Sequence, residues 1–293
     1  MGFIESTLLP LLVSGLLLSG IYLLISVGLS LVFGVMEVVN FAHGALVMVG
    51  GYGGMIWFRK LGLSPLLSLV VLIPLMFGIG CVLQLGLLEH ILNDNEIYSL
   101  LLTFGLALAL EGSMKELFGT TSQSIVYLNE TVNLFVMTIA ANRLVAGGLG
   151  FLFTGALFLF LSRSTYGQAI RATAQAPDLA EACGINAPRI RAITFGIGSL
   201  LAGAGGVMYL LVFQVSPIGG RPILLIMFII IVLGGMASMK GTAVAAVIVG
   251  VFQVNSSYFM GGHATFFILF SAIAIILLVK PHGLFGEPEG RHG

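Results

Sequence analysis

Residues 8–34 read LLPLLVSGLLLSGIYLLISVGLSLVFG, twenty-seven consecutive positions without a charged side chain. About twenty apolar residues suffice for a helix to cross the hydrocarbon of a bilayer. This run is too long for the apolar core of a signal peptide, and it lacks a basic start and a small-residue cleavage site. It reads as a first membrane span.

Comparable runs follow along the chain: 42–58, 65–88, 98–110, 144–161, 192–213, 222–236, 242–258 and 265–279. The whole sequence is 58% hydrophobic and 8% charged, with a mean hydropathy of +1.11. Soluble domains carry about 25% charged residues. In lipid every backbone polar group needs an internal partner, so spanning segments are helices or closed barrels. Continuous runs, rather than alternating ten-residue segments, select helices. The expected fold is therefore all-α, a polytopic transmembrane domain of eight to nine spans. It occupies residues 1–293 as a single unit. The runs at 98–110 and 222–236 are short for spans, which predicts extension into polar flanks or broken helices.

Basic residues in short loops set orientation. Arg163, Arg171, Arg189 and Arg191 make 162–191 the most basic connection, which is expected in the cytoplasm together with Lys240 and the C-terminal tail. Counting spans backwards puts Arg59 and Lys60 outside, against the same rule. Zero net charge suggests no nucleic-acid partner. Cys81 lies in an apolar run and Cys183 in a polar loop, so neither a disulfide nor a metal-ligand spacing is expected.

Three segments stand out. The first is Glu37-Val-Val-Asn-Phe-Ala-His-Gly44, an acid, an amide and an imidazole between two apolar runs, followed by a helix rich in glycine. Polar groups at membrane depth are costly unless they face protein or a water-filled cavity. A broken helix here exposes N–H groups suited to a polar ligand. An interfacial turn with Asn40 capping the next helix is the equal alternative. The candidate substrate path comprises Glu37, Asn40, Phe41, His43, Gly44, Gly50 and Gly51. The glycines also suit close helix packing. No second ligand at helical spacing supports a metal at His43.

The second segment is the loop from Gly167 to Asn186. Pro177 suits a first helical position, Asp178 and Glu181 suit the positive end, and Gly184 suits a stop. Leu179, Ala180 and Cys183 form a modest apolar stripe. A short amphipathic helix is expected, either solvated or docked on a partner. The third is Glu111 with Lys115, spaced i,i+4 as a local ion pair. The stretch Gly235-Met-Ala-Ser-Met-Lys-Gly-Thr242 falls short of a phosphate-binding loop. With neither G-x-S-x-G nor H-E-x-x-H, hydrolase chemistry has no support. The chain is not expected to be an enzyme.

Four ordered pieces carry a family resemblance: Gly28-Leu-Ser-Leu-Val-Phe-Gly-Val-Met36 with Asn40-Phe-Ala-His-Gly44; Gly167-Gln-Ala-Ile-Arg-Ala with Gly184-Ile-Asn and Leu201-Ala-Gly-Ala-Gly-Gly206; Val232-Leu-Gly-Gly-Met-Ala-Ser238 with Gly241; and Pro281-His-Gly-Leu-Phe-Gly286. Over nearly its whole length the chain resembles the LivH-like permease subunits of branched-chain amino acid ABC importers. The resemblance implies a bacterial inner-membrane, multi-pass permease with a cytoplasmic C-terminus. Its implied partners are a second homologous permease, two cytoplasmic ABC ATPases, a periplasmic solute-binding protein and membrane lipid. This chain would bind no cofactor; ATP and Mg belong to the ATPases. The helix around 177–183 corresponds to the family's coupling helix, so Arg171, Pro177, Asp178, Leu179, Glu181, Gly184 and Asn186 are implied at the ATPase junction. Phe41 points to the amino acid branch.

Departures from the family pattern are Glu111, Lys240 and the stretch 118–142. They leave urea, amides and organic acids open as substrates. Two further classes stay open on sequence alone. An ion-coupled secondary transporter would have Glu37 and Glu111 as its membrane carboxylates. A structural membrane protein would leave the polar break at 40–44 unexplained.

Overall fold

The computed structural model describes residues 7–91, 96–134, 137–280, 283 and 285. Eleven α-helices occur among them: α1 (Leu9–Met36), α2 (His43–Leu61), α3 (Ser68–Gly86), α4 (Glu96–Phe118), α5 (Ala141–Arg163), α6 (Thr165–Gln175), α7 (Pro177–Ala182), α8 (Ala187–Val212), α9 (Gly220–Gly234), α10 (Met239–Met260) and α11 (Gly262–Val279). Six segments are long and apolar enough to cross a membrane: those containing α1, α3, α4, α5, α8 and α10. The helices α2, α9 and α11 run beside them in the same bundle.

The helix α1 is apolar all round and buried from Leu18 to Val32, which places it at the centre. It packs on α5, α8 and α10, while α8 also packs on α2 and α3. The outer helices expose apolar side chains such as Val70, Val82, Leu101 and Leu152, the surface expected against lipid.

Burial gives little drive between helices in lipid, so close backbone approach has to hold them. Among the described residues glycines meet helix to helix at several seams, including Gly20 with Gly147 and Gly150 (α1–α5), Gly28 with Gly198 (α1–α8), Gly50 with Gly203 (α2–α8), and Gly234 with Gly241 (α9–α10). A Cβ on Gly206 would run into the carbonyl of Val47. The expected path residues Gly50 and Gly51 are thus placed in this packing: Gly50 faces Gly203, and Gly51 faces Val215 and Gly206.

The two short runs have different outcomes. The run at 98–110 is the middle of α4, which continues through Glu111 to Phe118. The run at 222–236 supplies most of α9, a helix of only 15 residues that stops at Gly234. The stretch 118–142, unread from sequence, contains an antiparallel hairpin, β1 (Thr131–Leu134) with β2 (Met137–Ala140). Upstream of it, Gln123 and Val215 exchange backbone hydrogen bonds of 2.8 Å, tying this stretch to the α8–α9 connection.

Arg59, one of the two basic residues that run against the orientation rule, has local partners. Its Nη1 donates to Gln123 Oε1 at 2.7 Å and its Nη2 to the Ser124 carbonyl at 2.9 Å. This cation clasps the hairpin end of the bundle, so its position follows from a local partner. At the opposite end Arg191 pairs with Glu89 through Nε at 3.2 Å and Nη2 at 2.5 Å, joining the start of α8 to the segment after α3.

Candidate functional site

The chain after α1 does not turn at the bundle end. Glu37 closes α1 in the left-handed region, with φ 55°, and is exposed. Residues 38–42 then run back inward. The turn is closed by Asn40, whose Oδ1 accepts from Ala42 N–H at 3.0 Å, an Asx arrangement rather than a cap within the helix. The His43 Nε2–H donates to the Ile25 carbonyl at 3.1 Å, and the ring packs near Gly28. Ile25 stands eleven residues before the end of α1, so α2 begins about 16 Å inside the bundle end.

The N-terminus of α9 meets it there. Gly44 and Gly220 touch through their backbones, leaving no room for a Cβ on Gly44. Two helix starts, with their free N–H groups and positive dipole ends, therefore converge within the bundle.

Beside them lies a cavity of about 570 Å³ bounded by α2, α4 and α9. Its wall is mostly apolar, including Val39, Ala45, Leu108, Leu224 and Leu225. Phe41 forms an aromatic group with Phe228, at 5.7 Å between centroids, and Phe104, at 6.3 Å edge-on. One charged pair interrupts the wall. Arg221 donates from Nε and Nη2 to the two carboxylate oxygens of Glu111, at 2.9 and 2.6 Å. This corrects the expected local pairing of Glu111 with Lys115. The partner comes from α9, 110 residues later, because Glu111 is turned into the bundle.

Of the seven expected path residues, Phe41 lines this cavity. Asn40, His43 and Gly44 are buried and shape the break behind it. Glu37, Gly50 and Gly51 lie elsewhere. Arg221 went unnoticed in the sequence. Its one signal was a lone cation immediately before the Pro222 run.

The loop expected to hold one short helix holds two. Ser164 caps α6, accepting from Gly167 N–H at 2.9 Å. Then α7 begins at Pro177, with Asp178 in its first turn. It ends in a Schellman arrangement, in which Ile185 N–H donates to the Ala180 carbonyl at 3.0 Å and Gly184 takes φ 87°. Asn186 caps α8, accepting from Arg189 N–H at 3.0 Å. The expected stripe is split, since Ala180 is buried while Leu179 is 69% exposed and Cys183 is free and exposed. Asp178 and Glu181 are exposed, and Arg171 borders a second cavity with Lys240. Of the tail motif at 281–286, only Gly283 and Phe285 are among the described residues. No cluster of three metal-binding side chains occurs among the described residues.

Apolar outer faces, glycine seams and broken helices beside an open cavity define a multi-pass helical membrane protein of the transporter kind. The chain belongs to the family described as branched-chain amino acid transport system / permease component, whose model matches residues 11–279. It is 27% identical to the high-affinity branched-chain amino acid transport system permease protein LivH of Salmonella typhimurium, over 94% of both chains. It is 27% identical to BraD of Pseudomonas aeruginosa, a permease protein of the same description, over 95% of both. A probable branched-chain amino acid permease, LivH of Methanocaldococcus jannaschii, is 25% identical over 92% of this chain and 89% of the relative. No solved structure matches.

Proposed function

We propose that the chain is a membrane-spanning subunit of a binding-protein-dependent ABC importer for branched-chain or related apolar amino acids. The observation that carries this reading is the mid-bundle cavity at the starts of α2 and α9, because half-helix ends at a cavity suit a polar solute in transit. Phe41 and the wall around it form part of the path. Asn40, His43 and Gly44 hold the break open. The remaining candidates, Glu37, Gly50 and Gly51, serve the frame of the path.

The face carrying α6 and α7 is cytoplasmic, as is the C-terminus, in the bacterial inner membrane. Arg163, Arg171, Arg189, Arg191 and Lys240 at that face support this orientation. Two ATPases dock there, with Pro177, Asp178, Leu179 and Glu181 at the contact. Arg171, Gly184 and Asn186 support the docking segment. A second homologous permease packs alongside, and a periplasmic binding protein docks at the hairpin end. ATP and Mg act in the ATPases.

Transport proceeds by alternating access. Receptor and nucleotide shift the equilibrium only through contacts that differ between the two states. The test is uptake of labelled leucine into proteoliposomes holding the assembled complex, with its binding protein and ATP. Accumulation that requires both supports the reading. Accumulation driven by an ion gradient without ATPases overturns it in favour of a secondary transporter.

A further inference from the structure

Among the described residues the pair Glu111–Arg221 is the one charged feature of the cavity, and its two ends differ. The Glu111 side chain is 5% exposed and that of Arg221 is 58% exposed. Arg221 uses Nε and Nη2 on Glu111, leaving Nη1 with no hydrogen-bond partner among the described residues. A guanidinium has five N–H donors, and a carboxylate accepts at about four lone-pair positions. Both groups therefore have capacity left once paired.

We propose that Glu111 and Arg221 together form a recognition station for the backbone of a zwitterionic amino acid. Its carboxylate docks on Arg221 and its ammonium on Glu111, while its apolar side chain lies against Phe41, Phe228 and Leu225. The inference rests on the permease reading above and adds the residues that discriminate. The electrostatic reason is neutrality. The pair carries no net charge, and a zwitterion adds none. A solute with only a carboxylate or only an ammonium group meets one member of the pair and leaves the other without its complement, so it gains one charge-assisted contact where a zwitterion gains two. An ion pair that merely tied α4 to α9 would show no such preference.

The test is protection of a cysteine from alkylation in membrane vesicles carrying the full complex. Leu225→Cys is introduced with Cys81→Ala and Cys183→Ala, and maleimide labelling is followed against leucine, isoamylamine and 4-methyl-2-oxopentanoate. These share the branched tail and differ in their charged groups. Leucine is expected to protect at concentrations roughly tenfold or more below either single-ended compound. Glu111→Gln is expected to reverse the order of leucine and the oxo acid, and Arg221→Gln to favour the amine. If either variant fails to assemble, the ranking with both native residues present still decides. Equal protection by all three compounds, or by none, overturns the proposal. In that case leucine uptake by the unmodified complex leaves the permease reading standing. Loss of ATP-dependent uptake is what would count against that reading.

Discussion

The Nε2–H of His43 donates to the carbonyl oxygen of Ile25, 18 residues earlier and halfway along α1. That carbonyl lies within a helix, so the imidazole is a second donor to it. The bond pins the first residue of α2 against the central helix and fixes how far inward the broken segment reaches.

His43→Ala should therefore destabilise the chain by about 2–4 kcal/mol, combining a lost buried hydrogen bond with a cavity at a fully buried site. Thermal unfolding of the purified complex in detergent measures it. A shift indistinguishable from the native protein would show that the glycine contact at Gly44 alone positions α2.

Glycine substitutions should divide by what a methyl group would meet. Gly206→Ala strikes the Val47 carbonyl and is expected to cost about 1–3 kcal/mol. Gly148→Ala, in α5, meets nothing within 4 Å and should stay within about 0.5 kcal/mol or stabilise. Yield and melting temperature of the two variants, prepared in parallel, give the comparison.

The Glu89–Arg191 pair should show coupling of about 1–3 kcal/mol in a double-mutant cycle of Glu89→Gln and Arg191→Met. Its side chains are only 19% and 18% exposed. Gln84 also donates to Glu89, at 3.0 Å, and would keep part of the carboxylate satisfied when Arg191 is removed. Denaturation of all four proteins under one condition yields the coupling, and a value near zero would mark the contact as incidental.

Leu179→Asp should leave stability within about 0.5 kcal/mol, because the side chain is exposed. In the assembled complex it should lower substrate-stimulated ATP hydrolysis several-fold. Native-like stimulation would remove Leu179 from the proposed ATPase contact.

Much of the fold was legible because lipid imposes one rule, that long uncharged runs become helices. The break at 37–44 was legible for the same reason, since polar groups there had no cheap place in a straight span. What sequence could not supply was partnership across distance. Glu111 looked paired with Lys115 because i,i+4 neighbours are the only contacts periodicity reveals, while Arg221 reaches it from another helix. A glycine leaves the same trace in sequence whether it borders a void or another backbone, so the contacts of Gly50 and Gly51 with Gly203, Gly206 and Val215 were not legible there. Charge counting also passes over the hydrogen bonds that Arg59 makes to Gln123 and Ser124. A short apolar run looks the same whether its helix continues into polar residues, as α4 does, or is short itself, as α9 is.

The seam between α2 and α8 has a mechanical meaning. With Gly50 on Gly203 and Gly206 on the Val47 carbonyl, the two backbones lie closer than any side chain at these positions would let them. The two form one closely packed pair running from the Phe41 cavity to the Arg59 clasp. A rearrangement that kept this contact would carry the pair as a body and bend the chain at non-helical joints, among them 37–42 and 213–219.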